Sequence, residues 1–369
     1  MAQRSGFCSL PLHTGACPRW LFGRMRKLAG VISEIIIDEY GSEEYIKRLS
    51  DPFFFQAFGS VLAFDWHSSG LTTTVCGALK ESLNRENSGI KIAGGKGNTS
   101  RKTPEQILQF GDEFGLSSYK IDKMVYSSRM TAKVDNSLIQ CSPHYQLYHH
   151  SFVFTEDGKW AVIQQGKNER YARRYHWLSD NVNSFVLEPG SNICGERKEE
   201  GVLDMTAKES EETQEASLDL VRDNPRHIEK YVKKPEQKTL SEFSYGKIRS
   251  FTMSPRHTII DMDKRNVETL KRAYEIQPKT YEELIAIKGV GAKTIRGLAV
   301  VSELVYGTGA SWKDPVKFSF AYGGKDGIPR PVDKKEMDES TQILRDAVRN
   351  AKIGDREKLS AIKRLNKFI

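Results

Sequence analysis

The chain has 369 residues, 38% of them hydrophobic, and its 56 Lys+Arg against 48 Asp+Glu give a formal charge of +8. Such a length suggests two domains at very roughly 150 residues each, and the apolar fraction excludes an intrinsically disordered chain. No run of about 18 apolar residues occurs, and the opening MAQRSGFCSLPLHTGACPRWLF lacks the apolar block of a signal peptide. A cytoplasmic protein with no membrane partner is therefore expected. The five cysteines include no C-x-x-C pair, which argues against a thiol zinc site or a disulfide framework.

In chain order, residues 18–36 carry apolar positions at helical spacing, and residues 43–49 continue as a shorter helix. Asp51-Pro52 is a break with N-cap chemistry before a helix over residues 53–58. VLAFDW, residues 61–66, predicts a buried strand. The hydroxyl-rich Ser68 to Thr74 then leads into another helix. Residues 90–93 predict a short strand followed by the glycine-rich basic loop Gly94-Gly95-Lys96-Gly97-Asn98-Thr99-Ser100-Arg101, and Thr103-Pro104 opens a helix. Residues 145–155 and 159–165 predict two strands joined at Asp157-Gly158, a strong hairpin signal. Residues 1–215 thus read as a mixed α/β domain rather than a doubly wound parallel sheet.

Charge is uneven. Residues 251–369 hold 23 Lys+Arg against 16 Asp+Glu, an excess of +7. Residues 196–215 hold eight acids and three bases, which predicts an exposed loop or a polar helix face. Residues 216–260, interrupted by Pro235, read as a basic linker to an all-α domain over residues 261–369.

That last segment contains the strongest motif. Thr280 and Glu283 form a capping box for a short helix, Gly289-Val290-Gly291 is a tight turn, and a second helix from Ala292 stops at Gly307. Glycines permit a sharp turn and close approach of a phosphate. The second helix starts with free N–H groups and the positive end of its dipole. Lys288 and Lys293 flank that point and Arg296 lies one turn on, so the arrangement suits the nucleic-acid backbone rather than the bases. Residues Ile287 to Thr294 resemble the helix-hairpin-helix superfamily. That likeness implies backbone binding of DNA, less often RNA, at Lys288, Gly289, Val290, Gly291, Lys293, Thr294 and Arg296.

Within that superfamily the segment is similar to the endonuclease III type of DNA glycosylase. Members with lyase activity carry a nucleophilic Lys in Gly-Val-Gly-x-Lys-Thr and a catalytic Asp about twenty residues later. Lys293 matches the first feature. Asp333 resembles the second, but lies 40 residues on and lacks the family's Val-Asp-Thr-His continuation, and no four-Cys cluster is present.

Three further groups carry chemistry. Asp65 and His67, between the predicted strand and helix, suit acid–base work or metal binding. Lys96 and Arg101 in the glycine-rich loop suit a phosphate, although the Walker spacing is absent. His149 and His150 sit on one hairpin strand with Gln164 and Gln165 on the other. Because neighbouring strand residues face opposite ways, only one His can share a face with one Gln. Asp135, the hairpin and Gln165-Gly166-Lys167 together resemble the metal site of restriction-type nucleases, which implies a divalent metal. The alternative is that His and Gln satisfy one another. Arg170, Arg173 and Arg174 with Tyr171, Tyr175, His176 and Trp177 form a basic-aromatic cluster suited to unpaired bases, part of which is expected to be core.

Over nearly its full length the chain resembles an uncharacterised protein family of archaea and thermophilic bacteria. The matching segments include Leu10 to Gly15, Phe64 to Gly70, Gly94 to Gly97, Leu147 to His150, Val162 to Gly166 and Ala172 to Leu178. The expected function is DNA binding in repair or processing. A metal-dependent nuclease, a Lys293-dependent glycosylase/lyase and a noncatalytic DNA/RNA-binding module all remain open.

Overall fold

A computed structural model of the chain describes residues 17–62, 69–85, 88–142, 144–195, 198–223, 264–316, 334–351 and 354–368. At its centre is an antiparallel sheet of five strands in the order β1 (Ile90–Lys96), β3 (Gln146–Thr155), β4 (Trp160–Lys167), β5 (Ala172–Leu178), β6 (Asn192–Cys194). A two-stranded ribbon, β2 (Ile139–Gln140) with β7 (Leu203–Asp204), stands beside it. The turn expected at Asp157-Gly158 joins β3 to β4, with Gly158 at φ +84°.

Both faces of the sheet are covered, so its strands read as nearly continuous buried runs rather than alternating ones. On one face lie α1 (Arg19–Tyr40), α2 (Ser42–Ser50), α3 (Pro52–Val61) and α4 (Gly70–Leu83), together with the helices Lys334–Asn350 and Asp355–Phe368. Ile32, Phe58, Leu79, Val153, Ile163, Leu344 and Leu365 share that core. On the opposite face lie α5 (Thr103–Glu113), α6 (Ser118–Ser137) and α7 (Glu211–Arg222), with the helices Lys264–Ile276, Tyr281–Ala286 and Ala292–Tyr306. There Met124, Phe152, Trp177, Leu218, Leu284 and Leu298 pack as one cluster.

This arrangement corrects the expected division. The helices after residue 261 do not form a separate helical core. Those of the hairpin region bury their apolar sides with β3–β5, and those after residue 334 bury theirs on the other face. The acidic stretch 196–215 is also more than a solvated face, since Val202, Leu203 and Met205 are buried.

Three local expectations change. The predicted strand over 61–66 begins inside α3, which Asp51 caps by accepting from Phe53 N (2.7 Å) and Phe54 N (3.2 Å). Every residue of α3 is buried, so no amphipathic stripe marks it as a helix; residues 63–68 lie outside the described part. The helix α6 escapes detection because its buried face includes Ser127, Ser128, Thr131 and Asp135 beside its apolar residues. The basic-aromatic cluster is largely β5, all seven of whose residues are buried, so Arg173, Arg174, Tyr175 and Trp177 are core and offer no platform for bases.

Candidate functional site

The hairpin forms as its residues dictate. Thr280 Oγ1 accepts from Glu283 N (3.1 Å), and Glu283 Oε2 accepts in return from Lys279 N (2.7 Å), a reciprocal cap displaced by one residue from the usual box. Gly289 has φ +100°, and a Cβ there would sit 2.9 Å from Thr269 Oγ1 and 3.0 Å from Arg272 Nη2. Glycine is therefore required by the backbone and by packing against Lys264–Ile276. Gly291 is different. Its φ of −148° suits any residue, and the nearest atom to an added Cβ is 4.0 Å away, so this glycine leaves open space at the surface.

Val290 is 1% exposed, and its N–H is already bonded to Ile287 O at 3.2 Å. The Thr294 side chain is buried as well. Neither side chain reaches the surface, so Thr294 offers only its backbone. No side chain caps the helix Ala292–Tyr306, and its first-turn N–H groups lack intrahelical partners. Lys288 and Lys293 are exposed beside them. Arg296 is half-buried, its guanidinium 5.4 Å from the Trp312 ring, so it is a packing cation more than a free one. The turn is seated on α6 and the residues after it: Lys133 Nζ donates to Ile287 O (2.9 Å), Gln140 Nε2 to Ala292 O (2.9 Å) and Tyr126 OH to Glu282 Oε1 (2.7 Å).

The strand register separates the two histidines as the period of two requires. His149 pairs with Gln165, and His150 with Gln164. On the face of α6, His150 Nδ1 meets Gln164 Oε1 (2.7 Å) and its Nε2 meets Ser128 Oγ (2.9 Å). Gln164 Nε2 donates to Thr131 O (3.0 Å) and to Asp135 Oδ2, which also accepts from Trp177 Nε1 (2.8 Å). His and Gln do satisfy one another here. Burial, only partly offset by the Trp177 and Gln164 donors, pushes Asp135 up to about 7.

On the face of α4, Gln165 Nε2 donates to Ser69 O (2.9 Å) and Tyr148 OH (2.5 Å), while Thr72 Oγ1 donates to Gln165 Oε1. Tyr148 reaches this face because it is the extra residue of a β-bulge between Leu147 and His149. Arg174 Nη2 donates to Gln56 Oε1 (3.1 Å), and its guanidinium lies 4.9 Å from the Phe55 ring. His149 Nε2 meets Ser151 Oγ at 3.0 Å. Burial holds His149 down to about 3, helped by the charges of His150, Lys96 and Lys80, and holds His150 down to about 4. Both imidazoles are neutral near pH 7 and too weakly basic to serve as general bases there.

The sheet thus brings His149 and Gln165 together, and Gln165 bonds to Ser69, close after Asp65 and His67. Those two residues and Asp333 lie outside the described part. Asp135 and Gln165 face opposite sides of the sheet, so the nuclease-like acid–Gln–Lys constellation is not assembled around Asp135. Among the described residues, no group of three His, Cys, Asp or Glu side chains is placed to hold a metal ion. Lys293 sits at the surface on the α6 side, with none of the burial that activates a Schiff-base lysine.

Lys96 and Arg101 are both exposed, and Arg101 lines a cleft that the sequence did not reveal. Its walls are the turn Gly97 to Arg101, residues His144 to Tyr148 and residues Lys167 to Glu169. His144 and Tyr148 carried no pattern in the sequence, because the bulge that aims Tyr148 has no sequence mark.

A family model described as protein of unknown function (DUF763) matches residues 6–332, and the chain belongs to that family. No curated protein and no solved structure matches the chain.

Proposed function

We propose that the chain is a DNA-binding protein acting in DNA repair or processing, and that it grips the duplex backbone through residues 280–307 without reading bases. The observation that carries this reading is the uncapped start of the helix Ala292–Tyr306, open in front of Gly291 and flanked by the exposed Lys288 and Lys293. Free N–H groups, the helix dipole and two cations converge on one point. The buried Val290 and the bonds from Lys133 and Gln140 hold that point in place without occupying it.

Binding of a mixed-sequence duplex, followed by fluorescence anisotropy, is expected to weaken steeply with salt. Lys288→Ala with Lys293→Ala should lower affinity about tenfold and flatten the salt slope by about 2, equally for all sequences. Gly291→Ser should weaken binding with little effect on the melting temperature, because its Cβ meets nothing nearer than 4.0 Å and serine is favoured at a helix N-cap, where its hydroxyl occupies the free N–H groups. Unchanged affinity in both variants would remove the hairpin from the interface. Borohydride trapping on abasic DNA is expected to give no adduct; an adduct that disappears with Lys293→Ala would establish the lyase instead.

A further inference from the structure

We propose that the cleft between Gly97–Arg101, His144–Tyr148 and Lys167–Glu169 binds a nucleoside phosphomonoester, with Arg101 and Lys167 on the phosphoryl group and Tyr148 and Leu147 against the nucleoside. The site does not depend on the hairpin reading; it lies at one end of β1, β3 and β4, on other residues.

Shape comes first. The cleft measures about 600 Å³, within the roughly 300–1,000 Å³ of small-molecule sites. Its rim is fixed from inside. Gly94, at φ +88°, lets β1 approach so closely that a Cβ would fall 2.2 Å from His150 O and 2.5 Å from Thr103 Oγ1. Lys80 Nζ also holds Gly94 O at 2.6 Å and Gln106 Oε1 at 2.7 Å. The turn that follows, with Gly97 at φ +61°, is thereby held over the cleft. On the opposite rim, Asn168 Oδ1 accepts from Arg170 N (2.9 Å) and Tyr171 N (2.8 Å), which ends β4 just after Lys167.

Charge comes second. Among the described residues, neither Arg101 nor Lys167 forms an ion pair with a carboxylate. Lys167 Nζ rests 5.4 Å from the Tyr148 ring, and that ring is itself pinned by Gln165. Arg101 and Lys167, neither ion-paired, outnumber the one lining carboxylate, Glu169, and favour an anionic oxygen group, and Arg suits its fork geometry. His144 is half-buried, and desolvation pulls it below its ordinary range, so it adds a neutral hydrogen-bonding group rather than a charge. The Tyr148 ring and Leu147 supply the apolar wall that free phosphate would not need.

Isothermal titration of the full chain with AMP, adenosine and inorganic phosphate tests the site. AMP is expected to bind at least about tenfold tighter than either fragment, the scale of a lost charge-assisted contact. Arg101→Ala with Lys167→Ala should lower AMP affinity at least about tenfold, and both are surface residues whose loss leaves the thermal melt in place. Lys288→Ala with Lys293→Ala should leave AMP binding intact, which separates this site from the hairpin. Competition with a 5′-phosphorylated and an unphosphorylated tetrathymidylate identifies the source. Displacement by the phosphorylated strand alone assigns a strand end, and no displacement by either assigns a free nucleotide. Equal binding of AMP and adenosine, absence of AMP binding, or undiminished binding by the Arg101/Lys167 variant would overturn the proposal.

Discussion

At pH 8 the variant Asp135→Asn is expected to melt above the parent chain, and the advantage should vanish below pH 4. Asp135 is enclosed between α6 and the sheet, and its Oδ1 finds no partner while Oδ2 accepts from Trp177 and Gln164. Burial moves its carboxyl from the ordinary 3.8 to about 7. The unfolded chain therefore releases this proton near pH 4, while the folded chain holds it until about pH 7. Between those values the unfolded state gains stability relative to the folded one, and above pH 7 the full difference remains. At 1.36 kcal/mol per pH unit the penalty approaches about 4 kcal/mol above pH 7. Asparagine keeps an acceptor for Trp177 and Gln164 and carries no charge, so it removes the penalty. Thermal melts of both proteins from pH 4 to 9 check this: a melting difference that does not grow between pH 4 and 7 would show that Asp135 is not held protonated.

The same residue shows where the sequence is legible. Local chemistry was read directly: the Asp157-Gly158 turn, the Thr280 cap, the hairpin and the stop at Gly307 all form as their residue types require. The opposed faces of His149 and His150 also followed from the period of a strand alone. What could not be read were positions whose meaning comes from the third dimension. Ser128, Thr131 and Asp135 look like a solvated face until the sheet closes over them. Arg173 and Arg174 look like a surface for nucleic acid, but their partners, Asp314 and Gln56, lie 141 and 118 residues away. Tyr148 enters the cleft through a bulge, and Lys167 gains its role only from that ring. The hairpin was legible as a motif, yet its seating on α6 was not, because Lys133, Gln140 and the sheet are remote from it in sequence.

Asp314→Ala is expected to cost about 3–5 kcal/mol, the scale of breaking a buried ion pair by removing one partner. Arg173 and Asp314 are each 1% exposed at the side chain and meet through two parallel bonds, one of them Nη1 to Oδ1 at 3.0 Å. The guanidinium also lies 4.6 Å from the Tyr145 ring, so no water replaces a lost carboxylate without opening the core. Asp314 also holds backbone, accepting from Glu199 N (2.7 Å) in a remote segment and from Val316 N (3.1 Å) two residues on. The alanine variant strands a buried cation and two backbone N–H groups together, and the latter cost about 1–3 kcal/mol each when unsatisfied. Asp314→Asn retains one acceptor oxygen and should fall between parent and alanine. Arg173→Met with Asp314→Ala removes the stranded cation and should recover part of the loss, while the two N–H groups keep it below the parent. Chemical denaturation of the four proteins checks the order. If Asp314→Ala unfolds within about 1 kcal/mol of the parent, the pair is not what joins β5 to the segment after the hairpin. Because Lys133 and Gln140 hold the hairpin turn independently, the folded fraction of Asp314→Ala at low temperature should bind duplex DNA with the parent's affinity, which separates loss of stability from loss of the interface.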